Sequence, residues 1–220
     1  MLVQQQVSAE RSETLLRMNS NQPIKLIGGV AIAFALPWIF LILIPFVKFS
    51  DLKPIPYPEG QEVDGGIAAY PDKALYRAGS SDYGRQIYAA EGCAYCHTQV
   101  VRPTYAGPDM WRPGWGGRDA DGLARETRPR DYLLEDVALL GYQRIGQDLS
   151  NVGHRITTRE LMHQHLSDPK SIDPDSGMPA YLHLYKESPL GDGKLIPTSR
   201  AEALVDYLLS LKKDQPVPAG

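Results

Sequence analysis

Cys93-Ala94-Tyr95-Cys96-His97 constrains everything around it. The pattern is C-x-x-C-H, the attachment signature of a c-type haem. On a helix, residues three apart share a face. Both thiols can therefore bond the edge of one macrocycle, and His97 then falls beneath the iron as its proximal ligand. The chain holds 2 cysteines and the motif uses both. A structural zinc site needs four ligands, and no histidines stand at finger spacing to complete one. A thioredoxin-like dithiol belongs in a βαβ context, which the flanking residues lack. A plain Cys93–Cys96 disulfide is the remaining alternative.

Upstream of the motif, Leu26 to Val47 reads LIGGVAIAFALPWIFLILIPFV, without one charge. As a helix it would be roughly 33 Å long, enough to cross the hydrocarbon core and contact membrane lipid. A cleaved secretory signal is the alternative, but its apolar region is usually only ~7–15 residues. Here Glu10 and Glu13 precede the run, no A-x-A-like site follows it, and Lys25 and Lys48 bracket it as snorkelling anchors would. Pro37 should bend the helix by removing a hydrogen bond. Arg11, Arg17 and Lys25 before the span slightly outnumber Lys48 and Lys53 after it, which favours a cytoplasmic N-terminus. Covalent haem is attached outside the bacterial cytoplasmic membrane. One span followed by C-x-x-C-H therefore implies a single-pass inner-membrane protein with a periplasmic haem domain. The net charge of −3 carries no nucleic-acid footprint.

The expected organisation follows from composition. Residues 1–25 form a polar cytoplasmic tail, in which Val7, Leu15, Leu16 and Met18 fall at roughly helical spacing, and residues 26–47 form the span. Residues 48–80 form a linker, with Pro54, Pro56, Pro58 and Gly65-Gly66, that should act as a stiff spacer. Residues 81–212 form the haem domain and 213–220 a tail. A helix of about three turns is predicted from Ser81 or Asp82 to Gly92. Capping boxes at Thr157-Thr158-Arg159-Glu160 and Ser199-Arg200-Ala201-Glu202 open two more. Leu204, Tyr207, Leu208 and Leu211 give the last one an apolar stripe. No strand-period run of useful length appears. The expected fold is all-α: one N-terminal transmembrane helix and a helical domain with a long irregular insert at 98–145.

These parts resemble a class I cytochrome c. In that family the first and last helices cross where a glycine and aromatics let the backbones approach, and Gly84, Tyr88 and Tyr207 match those positions. Arg144-Ile145-Gly146-Gln147-Asp148-Leu149 looks like the family's R-x-G-P-D-L segment, departing at Gln147 where proline is usual. The resemblance implies that the Gln147 carbonyl accepts the ring N–H of the proximal histidine, which orients a ligand and raises its basicity. It also implies that Met178, before Pro179 and downstream of Asp168-Pro169, is the distal iron ligand. Thioether sulfur is soft and neutral and raises the reduction potential, and Pro174 and Pro179 stiffen its loop. Met162, Met110, His154, His163, His165 and His183 are the rival sources of that ligand.

The insert carries Tyr105, Trp111 and Trp115 with Arg102, Arg112, Arg118, Arg125, Arg128 and Arg130 among prolines, including Pro113, and glycines. That composition is what interface anchors look like. The alternative is a solvated basic loop balanced by Asp119, Asp121, Glu126, Asp131, Glu135 and Asp136.

Taken with Thr98 to Pro103 after the motif, the chain looks like the membrane-anchored mono-haem cytochrome c subunit of cbb-type cytochrome c oxidases. That resemblance implies a single-electron carrier with one covalent haem. Its partners would be another cytochrome c subunit, often di-haem, as donor, and the haem-copper catalytic subunit as acceptor. Oxygen reduction would occur in the catalytic subunit, with no catalytic residue here. Cys93 and Cys96 would tether the haem, His97 and Met178 would ligate iron, Pro179 and Gln147 would position, and Arg144 and Arg155 would neutralise propionates or stand at the surface. The cytochrome c subunit of a nitric oxide reductase, a gas-sensing cytochrome-shaped module and a free membrane-tethered shuttle remain alternatives.

Overall fold

The computed structural model describes residues 22–60, 69–71, 81–112, 115–116, 124–213 and 218. Val7, Arg11, Leu15, Leu16, Arg17, Met18, Gly65-Gly66, Pro113, Arg118, Asp119 and Asp121, named above, lie outside these residues. The chain divides into two units, Met1–Leu52 and Lys53–Gly220.

The first unit holds helix α1, Gln22–Ser50, of 29 residues. None of its side chains is buried, and Phe34, Leu41 and Phe46 stand bare. Apolar surface costs about 25 cal/mol per Å² in water, so a helix that is apolar on every side requires a lipid or protein surround. Its length suits a hydrocarbon core of about 30 Å with turns to spare. Pro37 sits inside the helix, and one residue past Trp38 the turn widens to π-type over Ile39–Leu43 before α-geometry resumes at Ile44. The turn before Pro37, where its ring removes a hydrogen bond, stays α-helical; the wide turn lies just before Pro45, which likewise cannot donate to the preceding turn.

The second unit is built on two helices, α2 (Ser81–Ala90) and α6 (Ser199–Ser210). They cross at Gly84. A Cβ there would stand 1.8 Å from the carbonyl oxygen of Ala203 and 2.8 Å from Cβ of Tyr207, so no residue but glycine fits. The rings of Tyr88 and Tyr207 pack beside the crossing, 5.4 Å apart and tilted by 59°. Gly153, on the short helix α4 (Val152–Arg155), makes a second close approach, to the backbone of Leu209. Helix α5 (Arg159–Ser167) adds Met162 and Leu166 to the core.

Both predicted capping boxes are displaced by one residue. Thr158, not Thr157, caps α5 by accepting from the Leu161 N–H at 3.4 Å. Thr198, not Ser199, caps α6 by accepting from Ala201 N–H. Thr198 is preset for the role, because its N–H and hydroxyl both donate to the Leu184 carbonyl, at 3.0 and 2.7 Å.

Two antiparallel hairpins interrupt the expected all-helical run: β1 (Ile55–Pro56) with β2 (Ala69–Tyr70), and β3 (Tyr185–Glu187) with β4 (Leu195–Pro197). Strands this short leave no period to detect. The signal for the second hairpin was its turn, Ser188 to Gly193, where Gly191 and Gly193 take positive φ. The first pairing, Ile55–Pro56 with Ala69–Tyr70, falls within the stretch expected to be a linker. Tyr70 is fully buried and its hydroxyl donates to the carboxylate of Asp131. Arg125 forks onto the same carboxylate at 2.8 Å and also donates to the Lys213 carbonyl at 2.8 Å. Arg130 donates to the Lys53 carbonyl at 2.6 Å.

Among the described residues of the insert, a 3₁₀ turn forms at Pro129–Tyr132. Two of its arginines meet buried acids. Arg102 forks onto buried Asp109 at 3.0 Å, and Arg125 binds Asp131. Lys213, buried beside them, pairs with Glu135 and stands 4.2 Å over the Tyr132 ring. Tyr105 and Trp111 remain exposed. Of the residues that suggested an interface, Arg125 and Arg130 hold the insert to the rest of the domain, whereas Tyr105, Trp111, Arg112 and Arg128 are exposed.

Candidate functional site

Helix α2 ends at Ala90, and Gly92, at φ 75°, turns the chain into the single helical turn α3, Cys93–Cys96. The left-handed conformation is one that glycine adopts without a steric penalty. Both cysteines are free thiols on this turn, Cys93 buried and Cys96 half-buried. Burial pushes the Cys93 thiol up to about 11, against a hydrogen bond from Tyr181, so it is protonated at neutral pH.

His97 leaves the turn in an extended conformation. Its Nδ1 lies 2.7 Å from the Gln147 carbonyl oxygen. A carbonyl only accepts, so Nδ1 carries the proton and Nε2 is the nitrogen with its lone pair free. Burial lowers the ring's pKa, partly offset by the Gln147 bond, which keeps it neutral. The hydrogen bond that the resemblance assigned to residue 147 is therefore present with glutamine in place of proline, because only the backbone is used.

A clasp of backbone hydrogen bonds closes around this turn. Tyr142 N–H donates to Ala94 at 2.8 Å, Gly146 to Cys96 at 2.9 Å, Leu149 to Thr98 at 2.8 Å, and Gln99 to Leu140 at 2.9 Å. Two glycines make room for it. At Gly146 a Cβ would lie 2.2 Å from Cε1 of His97, and at Gly141, with φ 89°, 2.2 Å from the His97 carbonyl oxygen. Gly141 was not singled out from sequence, where an isolated glycine in a long loop carries no signal. Gly146→Ala is expected to push the His97 ring off the Gln147 carbonyl and reduce the yield of ligated haem at least tenfold, the lower end of second-shell effects. Haem content and the absorption spectrum of the purified variant measure this.

Met178 is half-buried, packs against the main core, and its N–H donates to Ser176 Oγ at 3.2 Å. Tyr181 ends this loop, tied to α5 by its N–H on the Leu166 carbonyl at 2.9 Å and to the C-x-x-C-H turn by its bond to Cys93. Among the rivals, Met162 is a core residue at 2 % exposure. His163 bonds the Tyr185 hydroxyl at 3.1 Å and His183 bonds Glu91 at 2.8 Å. His165, on α5, is half-buried, and burial lowers its pKa.

The two predicted propionate arginines differ. Arg144 pairs with Asp109 at 2.7 Å and with Asp148 at 3.5 Å and donates through Nη2 to the Val100 carbonyl; its Nη1 makes no hydrogen bond but is already charge-paired with Asp109. Arg155 donates through one amino nitrogen to the Asp148 carbonyl, while its other, Nη1, is buried without a partner. A buried orphan donor on a guanidinium is a costly feature and suits an anionic carboxylate held at this site. Two unpaired cysteines one turn apart, a histidine with Nε2 bare and a guanidinium with one buried nitrogen lacking a hydrogen bond together fit a covalently held haem.

Residues 79–207 match the family described as cytochrome c oxidase, mono-heme subunit/FixO. The chain belongs to this family. No match was found among curated proteins. As a mono-heme subunit the chain is part of an oxidoreductase complex, cytochrome c oxidase, and carries one haem. Other subunits accompany it, and its one candidate membrane anchor is α1. The nitric oxide reductase alternative is set aside by this match.

Proposed function

We propose that this mono-heme subunit relays single electrons to the catalytic subunit of a haem-copper oxidase of cbb type and performs no oxygen chemistry itself. A c-type haem, when bound, supplies reversible one-electron chemistry at its iron. Cys93 and Cys96 tether it through thioethers, His97 ligates through Nε2, Met178 ligates from the opposite loop, and the Gln147 carbonyl holds the His97 ring. Arg155, with its orphan nitrogen, is the residue for a propionate, and Arg144 is not. The donor is another cytochrome c subunit. The haem domain lies in the periplasm, with α1 in the inner membrane and the N-terminus in the cytoplasm.

The observation that carries this reading is the 2.7 Å bond from His97 Nδ1 to Gln147, beside two cysteines one helical turn apart that form no disulfide with each other. It leaves a neutral imidazole with one nitrogen free, which is what an iron ligand requires. The test is a pyridine haemochrome assay and a redox titration of the full chain purified with its complex. One haem per chain, resistant to acid–acetone extraction, with a single one-electron wave, is expected. Cys93→Ala with Cys96→Ala should leave no covalent haem. A colourless wild-type product with two free thiols would overturn the reading.

A further inference from the structure

The clasp that orients His97 extends beyond the Gln147 carbonyl, and Arg144 sits at its far end. Asp148, the residue after Gln147, is fully buried. Its carboxylate accepts from Thr98 Oγ1 at 2.6 Å, from Val100 N–H at 2.8 Å and from Ser150 N–H at 2.8 Å. It thus stitches the residue after His97 to the residue after its acceptor. Uncompensated, a buried carboxylate is costly, and the charge that answers it is Arg144, at 3.5 Å. Arg144 also donates to the Val100 carbonyl, lies 5.1 Å from the Trp115 ring and pairs with Asp109 at 2.7 Å. Asp109 belongs to the insert, is 1 % exposed and is itself gripped by Arg102, through N–H at 2.9 Å and the guanidinium at 3.0 Å.

Two buried carboxylates and two arginines therefore run from the insert to the peptide that holds the His97 ring. The planar fork of Arg144 is what can reach both acids at once; a lysine ammonium, as a point donor, cannot.

We propose that Arg144 is a positioning residue for the haem's proximal histidine: by bridging Asp109 of the insert to Asp148, it fixes the peptide whose carbonyl orients His97, so the insert sets the electronic state of the iron. This rests on the reading of His97 as an iron ligand.

The test uses the full chain purified with its haem, in three forms: Arg144→Gln, Arg144→Lys and Asp109→Asn. Haem content is measured by pyridine haemochrome, the midpoint potential by titration, and the orientation of the axial imidazole by the g-values of the low-spin ferric signal in electron paramagnetic resonance. Arg144→Gln is expected to retain haem, to lower the potential through loss of a nearby positive charge, and to shift the g-values. Arg144→Lys should recover the potential and still show shifted g-values, because the charge returns without the bridge. Asp109→Asn should shift the g-values as well, and it stands in if Arg144→Gln does not fold. Wild-type g-values in the haem-loaded Arg144→Lys and Asp109→Asn proteins would overturn the proposal. A wild-type chain without haem would instead overturn the assignment of His97 on which it rests.

Discussion

Met178→Leu is expected to yield a protein that still carries covalent haem but whose midpoint potential has fallen by on the order of 100 mV, a fraction of the roughly 0.8 V that axial ligation spans. The thioether favours ferrous iron, and leucine offers no lone pair in its place. Its similar volume keeps the half-buried packing of residue 178, so the loss is one of ligation, not of fold. The ferrous variant should also bind carbon monoxide, which the wild type should not. Redox titration and carbon monoxide difference spectra measure the two effects. An unchanged potential would remove Met178 as the distal ligand and return the assignment to the rival methionines and histidines.

Gly84→Leu is expected to destabilise the haem domain strongly. Even the first carbon of a side chain would fall 1.8 Å from the Ala203 carbonyl oxygen and 2.5 Å from its carbon. These are backbone atoms in the middle of α6 and cannot swing aside as a side chain can. Overpacking of a core commonly costs about 1–3 kcal/mol, and a clash between two backbones lies at or beyond the top of that range. For a domain of this size about 3 kcal/mol lowers the melting temperature by roughly 6–12 °C. Gly84→Ala should show a milder form of the same loss. Thermal unfolding followed at the haem band measures both, and a melting temperature for Gly84→Leu within about 2 °C of wild type would contradict the crossing described above.

What the amino-acid sequence disclosed, and what it hid, follows a physical line. The apolar span and the C-x-x-C-H turn were legible because each depends on local pattern: an unbroken apolar run and a fixed spacing of thiols. The crossing of α2 with α6 and the Gln147 contact were expected only through the resemblance to class I cytochromes c, and the contact is present with glutamine because it uses a backbone atom that any residue supplies. The hairpins escaped notice because two- and three-residue strands have no period. The capping residues were displaced by one because Thr198 is held by a long-range bond to Leu184 that no local window contains. The insert was the hardest part. Its arginines look alike in sequence, yet Arg102 and Arg125 face buried acids, whereas Arg112 lies over the Trp115 ring at 4.2 Å. Which acid meets which arginine is decided by the folded path of an irregular chain, and spacing alone does not encode it.

The burial of Tyr70 bears on how this protein can be handled in solution. Its hydroxyl completes a knot with Asp131 and Arg125, and Arg125 in turn grips the carbonyl of Lys213. A water-soluble fragment trimmed back to the first helix of the cytochrome portion would discard that tyrosine. It would leave a hole beside a buried charge pair and unfasten the end of the chain. Trimming at Lys53 keeps the knot whole, so the segment that looks dispensable on paper is the one a shortened version has to retain.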